Sequence, residues 1–373
     1  MKILHIDVDD LKSPLGGGQS RRTFEINRRL VSWGHEVTVV TARYPGSKDE
    51  IIEGVKYLRI GRDKFPMSFV SFLLSLRKVV KAIPHDLLVE DFTSPISCAF
   101  TSLWTKKPVV ASAQFFFAHE MSKKYLIPFF LAEDIGVSYF YKNFVVLAAE
   151  TKKKILAKNK KANIKVLPEG VEDIAFETYD SGAGLPFILF LGRLDIHQKG
   201  IDLLLRSYKK IKDEIQMPLV IAGTGSDEKR MFKMISDMGL ASSVKFVGKV
   251  SGKQKFALYS AAEFVCVPSR YETFGMVATE AGACGKAIIA FDVQALNEVI
   301  SRDAALFVSP YNVQAYAEAM LTLAGNKNLC EQLGQAGRKN AENYRWDNIA
   351  KEQERFYEEV IKVTSDEFRV SSE

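Results

Sequence analysis

At 373 residues the chain is long enough for two domains of ordinary size, each with its own core. Hydrophobic residues at 47% and charged residues at 26% exclude wholesale disorder, and the four scattered cysteines (Cys98, Cys266, Cys284, Cys330) exclude a zinc or disulfide framework. The formal charge of +6 favours anionic ligands, a nucleotide or a phospholipid surface among them, but is too modest to call for nucleic acid.

The N-terminus runs straight into a strand pattern, without the apolar segment and cleavage site of a signal peptide, and no run of about 18 apolar residues occurs. The cytoplasm is the expected compartment. Strands are predicted over 2–8, 36–41, 55–60, 87–90, 109–113, 145–148 and 165–167, with helical patterns between them, for example over 20–33 and 69–82. A second series follows over 187–191, 219–222, 244–247, 264–267, 287–290 and 306–308. Runs such as Phe187-Ile188-Leu189-Phe190-Leu191 are apolar on both faces, as a parallel sheet covered by helices requires. The fold class is therefore α/β, with two Rossmann-like doubly wound domains whose strand ends should face a central cleft. Pro168, Gly170, Gly182 and Gly184 place the boundary between Pro168 and Pro186, dividing the chain into 1–168 and 169–345. A charged amphipathic helix from 346 to about 366, within the terminal stretch 346–373, has no strand after it.

Motifs fall mostly between a strand and the following helix. Gly16-Gly17-Gly18 after the first strand permits a tight turn or a close ligand approach. It is not G-x-G-x-x-G, and G-x-x-x-x-G-K-[ST] is absent, so neither a dinucleotide fingerprint nor a P-loop is supported. His5 and His35 read as structural, whereas His119 follows the strand 109–113 on its ligand-binding side, beside an aromatic cluster. The stretches 69–83 and 125–144, with seven lysines and no acid over 152–165, fit either a basic aromatic surface for an anionic membrane or a solvated face over an ordinary core.

In Gly192-Arg193-Leu194-Asp195-Ile196-His197-Gln198-Lys199-Gly200, Arg193 and Lys199 place two cations beside a strand end, as a departing pyrophosphate requires; a solvated loop is the alternative. Gly223-Thr224-Gly225-Ser226 either edges a nucleotide or is a plain turn with Ser226 capping the next helix. The sharpest motif is Pro268-Ser269-Arg270-Tyr271-Glu272-Thr273-Phe274-Gly275-Met276-Val277-Ala278-Thr279-Glu280. Here Gly275 opens a helix, and the N–H groups of Phe274, Gly275, Met276 and Val277 offer a diphosphate site. Glu272 and Glu280 either accept bonds from sugar hydroxyls or merely favour the helix dipole.

These residues together resemble the family 4 retaining glycosyltransferases of the GT-B fold. The match covers nearly the whole chain: Gly16-Gly17, Gly34-His35-Glu36-Val37, Leu167-Pro168-Glu169-Gly170-Val171, Gly192-Arg193 with Lys199-Gly200, and Glu272 seven residues from Glu280-Ala281. The resemblance implies that Arg193 and Lys199 bind the diphosphate of a UDP- or GDP-sugar, that Glu272 holds sugar hydroxyls and that Glu280 holds the ribose. It implies a Gly16-Gly17 loop near the phosphates and acceptor, retention of configuration, no metal or other cofactor, and a C-terminal helix packing back on the first domain. Gln114 stands where such enzymes keep a histidine, with His119 five residues later, and either could touch the donor sugar. The acceptor would be a glycan, lipid or small-molecule hydroxyl. Rival readings are a nucleotide-sugar epimerase or hydrolase on the same scaffold, an NAD oxidoreductase lacking its fingerprint, and a non-catalytic sugar-binding subunit.

Overall fold

A computed structural model describes residues 1–13, 17–63, 67–92, 99–114, 116, 118–177 and 185–370, except the side chains of 119, 120, 124, 125 and 367–370. The chain divides into two compact units, Met1–Glu169 with Trp346–Glu373, and Gly170–Arg345.

In the first unit, β1 (Lys2–Ile6), β2 (Glu36–Ala42), β3 (Glu50–Ile52), β4 (Val55–Ile60), β5 (Leu87–Asp91), β6 (Val109–Ala113), β7 (Asn143–Val146) and β8 (Asn163–Val166) form one sheet in the order β3-β4-β2-β1-β5-β6-β7-β8. All neighbours are parallel except β3 and β4. Successive residues of β1 feed opposite cores. Ile3 packs with Phe24, Ile26 and Leu30 of helix Gly18–Ser32, and Leu4 packs on the side of Phe72, Leu76 and Val80 of helix Met67–Ala82. That double burial explains the continuous apolar runs.

The terminal helix Trp346–Val370 lies against helix Gly18–Ser32, burying Trp346, Ile349, Phe356, Tyr357 and Val360. Arg22 Nη2 donates to Gln353 Oε1 at 3.2 Å, and Arg29 pairs with Asp347.

Among the departures from the sequence reading, two concern the edges of this sheet. The edge strand β3 was not predicted; it is three residues long and reaches β4 through Glu53 (φ 45°) and Gly54 (φ 82°), a left-handed two-residue hairpin turn. Strands β7 and β8 begin two residues earlier than predicted because Asn143 and Asn163 pair across the ladder, Nδ2 to Oδ1 at 3.2 Å, where an apolar start was expected.

In the second unit, β9 (Ile188–Leu191), β10 (Leu219–Ala222), β11 (Val244–Gly248), β12 (Phe264–Val267), β13 (Ala287–Phe291) and β14 (Ala305–Val308) form an all-parallel sheet in the order β11-β10-β9-β12-β13-β14. The strand order reverses between β9 and β12, and at that switch point an open sheet leaves a crevice beyond its carboxyl ends. Among the described residues, no helix is long and apolar enough to cross a membrane.

Candidate functional site

The loops leaving β9 and β12, neighbours at the switch point of the second sheet, carry the sharpest sequence motifs. After β9 the chain makes a one-turn helix, Ile196–Lys199, started by Asp195, whose Oδ1 accepts from Gln198 N at 2.8 Å. It ends at Gly200, in the left-handed region at φ 66°, where a β-carbon would sit 2.0 Å from the Pro268 carbonyl. Only glycine lets the two loops touch there.

Arg270 locks the contact. Its N–H donates to Gln198 O at 2.9 Å, and its guanidinium spans Ile196 O at 2.8 Å and both oxygens of Asp202 at 2.8 and 2.7 Å. Burial pushes Asp202 up, but the Arg270 bonds outweigh it and hold the carboxylate below its usual range.

This clamp sets Lys199 beside Glu272: Nζ donates to Oε1 at 2.7 Å, and Ser269 Oγ donates to the same oxygen at 2.8 Å. The Lys199 and Glu272 side chains are 14% and 5% exposed, so water screens the pair weakly. Arg193 is exposed and donates through Nη2 to Gln198 Oε1 at 2.8 Å.

Three residues past Glu272, Gly275 (φ 106°) caps helix Met276–Ala283. The first bonds of that helix run from Ala278 and Thr279 N–H to Gly275 O, so the N–H groups of Met276 and Val277 precede them. Phe274 is buried edge-on against Tyr344 and contributes packing beside its N–H. One turn along, Glu280 is buried, with Lys255 Nζ 2.7 Å from Oε1 and Tyr259 OH 3.1 Å from Oε2. Burial raises its carboxyl above the usual range, and Lys255 and Tyr259 oppose that rise.

Arg193, Lys199, Glu272, Gly275, Met276, Val277 and Glu280 thus lie in one unit, on or directly after loops that leave adjacent strands. Lys255, Tyr259 and Arg270 were not assigned from sequence. The four-residue spacing of Lys255 and Tyr259 on helix Gly252–Ala261 was the available signal, but nothing local says which carboxylate that helix face meets.

The remaining candidates divide between the two units. A β-carbon on Gly223 (φ 136°) would lie 1.8 Å from Gly192 O, so this glycine is required by close packing of the two loops. Ser226 does not cap the following helix; Asp227 occupies the cap position of helix Glu228–Asp237, and its Oδ2 accepts from Ile196 N at 2.8 Å. In the first unit Gly17 precedes helix Gly18–Ser32, and a β-carbon there would meet nothing within 4 Å among the described residues. Gly16 and Cys98 lie outside the described residues, as does the side chain of His119, which falls in helix Ala118–Tyr125. Gln114, just past β6, is 7% exposed, and its Nε2 donor has no partner among the described residues. His5 is buried between Asp91 and Asn27, and His35 bonds Met1 and Glu354.

Known proteins point the same way. Residues 171–340 match the family described as glycosyl transferases group 1, and residues 16–173 match glycosyltransferase family 4. An uncharacterized glycosyltransferase of Methanocaldococcus jannaschii is 36% identical over 47% of this chain; the matched stretch spans 45% of that protein, less than half its length. A second from the same organism is 26% identical over 96% of this chain and 99% of its own. The fold is similar to that of sucrose-phosphate synthase from Thermosynechococcus elongatus, at a TM-score of 0.77 and 20% identity, covering 97% of this chain and 99% of that one.

Proposed function

Because this chain belongs to the family 4 glycosyltransferases and has their GT-B fold, we propose that it moves a hexosyl group from a UDP- or GDP-sugar to an acceptor hydroxyl on a glycan, lipid or small molecule. The proposed reaction retains anomeric configuration and needs no divalent metal. One observation carries this reading: Lys199, 2.7 Å from Glu272, stands at the sheet's switch point beside the start of helix Met276–Ala283.

Breaking the glycosidic C–O bond sends its electron pair to the departing nucleoside diphosphate. Lys199, Arg193 and the N–H groups from Phe274 to Val277 meet that growing negative charge, so they stabilise the transition state more than the bound donor. Two fixed side-chain cations neutralise the charge that a metal would otherwise take. The bonds from Lys199 and Ser269 both fall on Glu272 Oε1, which leaves Oε2 to accept from sugar hydroxyls. Glu280 accepts from the ribose. The acceptor oxygen forms the new bond on the face the diphosphate has left, and its proton passes to the leaving phosphate.

The first test is a thermal-shift series with UDP-glucose, UDP-N-acetylglucosamine, GDP-mannose and UDP, where a bound ligand raises the melting temperature. No stabilisation by any of them overturns the donor reading. Proton NMR of the product then decides the stereochemistry, and an inverted anomer overturns retention. Nucleoside diphosphate released at full rate without an acceptor identifies a hydrolase.

We further propose that the protein works in the cytoplasm, docking on anionic membrane through its first unit. Residues 67–165 hold 15 of the 51 lysines and arginines but only 7 of the 45 acids. Helix Met67–Ala82 exposes Val70 and Leu74 beside Arg77, Lys78 and Lys81, and Leu126, Ile127, Leu131 and Tyr139 are exposed in the 126–139 segment. Basic side chains around exposed apolar ones suit an anionic bilayer surface. Flotation with phosphatidylserine vesicles at low salt is expected, fading with salt; no flotation removes this proposal.

A further inference from the structure

We infer that Lys255 and Tyr259 are positioning residues that fix the Glu280 carboxylate so that it presents one free acceptor position on each oxygen to the two ribose hydroxyls of the donor. The inference rests on the proposed donor role of Glu280.

The geometry begins with helix Gly252–Ala261, which places residues 255 and 259 on one face, a single turn apart. Each takes a different oxygen of the same carboxylate: Lys255 Nζ lies 2.7 Å from Oε1, and Tyr259 OH lies 3.1 Å from Oε2. A carboxylate offers about four lone-pair positions. One donor per oxygen stops the group from turning and leaves one position on each, a spacing that suits neighbouring hydroxyls.

The donors are themselves held. Lys255 Nζ is 3.5 Å from Glu172 Oε1 and 4.4 Å from the Phe256 ring centroid, and Tyr259 is fully buried. Burial and the Glu280 charge push the Tyr259 phenol well above its ordinary value, so it remains a donor. Nothing in the packing of helix Met276–Ala283 requires an acid here. Its other buried positions are Ala278, Thr279, Ala281, Gly282 and Ala283, so a charged group among them needs a purpose and a counter-charge.

Calorimetric titration with UDP and GDP, paired with steady-state kinetics, tests the inference. Lys255→Met should weaken binding of the preferred nucleotide roughly tenfold to a hundredfold, the range for a lost charged hydrogen bond. The kcat at saturating donor should stay within about threefold, because the diphosphate contacts are untouched. Lys255→Arg should recover most of the affinity, and Tyr259→Phe should lose less than Lys255→Met.

In a Glu280→Gln background, Lys255→Met should cost little more. The double variant has no buried unpaired charge at this pair and folds even where the single variant does not. Wild-type affinity in Lys255→Met, or an equal further loss in the Glu280→Gln background, overturns the positioning role. Wild-type affinity in Glu280→Gln overturns instead the ribose assignment on which it rests.

Discussion

Replacing Lys199 by methionine tests stability and catalysis at once, and the two effects can be separated. The side chains of Lys199 and Glu272 are 14% and 5% exposed and meet at 2.7 Å, which places them with buried ion pairs rather than surface ones. Surface pairs contribute about 0–1 kcal/mol, whereas removing one partner of a buried pair costs roughly 3–5 kcal/mol. Residual exposure of the lysine sets the expectation near the low end, about 3 kcal/mol. In a unit of this size that is a fall of roughly 6–12 °C in melting midpoint. Loss of a charge aimed at the leaving group should lower kcat by about 10²–10³-fold.

Adding Glu272→Gln removes the stranded carboxylate. The double variant Lys199→Met/Glu272→Gln should recover part of the lost midpoint, because no buried charge is left alone, and recover none of the activity. Differential scanning fluorimetry and a coupled assay for released nucleoside diphosphate read the two quantities on one preparation. A kcat within threefold of wild type in Lys199→Met would refute the charge argument. Activity that returns together with stability in the double variant would show that the lysine merely holds the fold.

Glycines give a second contrast. Gly223→Ala drives a β-carbon to 1.8 Å from the Gly192 carbonyl and should cost about 3 kcal/mol or more, whereas Gly17→Ala, in extended backbone with no described neighbour within 4 Å, should change stability by less than about 0.5 kcal/mol while lowering turnover. Equal destabilisation of the two in urea melts contradicts this reading.

The buried pair Asp7 and Asp91 yields a pH prediction. Burial and the charges of Asp91 and Asp9 raise Asp7 well above its usual range, while His5 and Ser112 outweigh burial and hold Asp91 below its own, so the shared proton sits on Asp7. The Asp7 contribution is therefore present below about pH 4 and lost as pH rises through its folded value; that of Asp91 is present above about pH 4 and lost toward acid. At pH 7.5 Asp7→Asn should match or exceed wild-type stability, and Asp91→Asn should lose about 1–3 kcal/mol; the reverse order places the proton wrongly. Activity should persist after EDTA dialysis, and a strict requirement for added magnesium or manganese would contradict the metal-free step.

Much of this molecule is written locally. Strand–helix alternation, apolar runs such as Phe187 to Leu191, and the glycines and prolines at strand ends each express a backbone preference that a few neighbouring residues settle. They were enough to define two parallel α/β units and to place Arg193, Lys199, Glu272 and Gly275 on loops at strand ends. The sequence could not say which side chains meet. Lys199 reaches Glu272 across 73 residues because β9 and β12 are neighbours in the sheet, and Glu280 finds Lys255 across 25 because one helix packs beside another. The packing of Gly223 on Gly192 was not legible in its loop, nor was the cap at Asp227, whose carboxylate serves a different helix, in place of Ser226. Such pairings depend on strand order and helix docking, which minimise the free energy of a whole unit, and no window of neighbouring residues contains that sum.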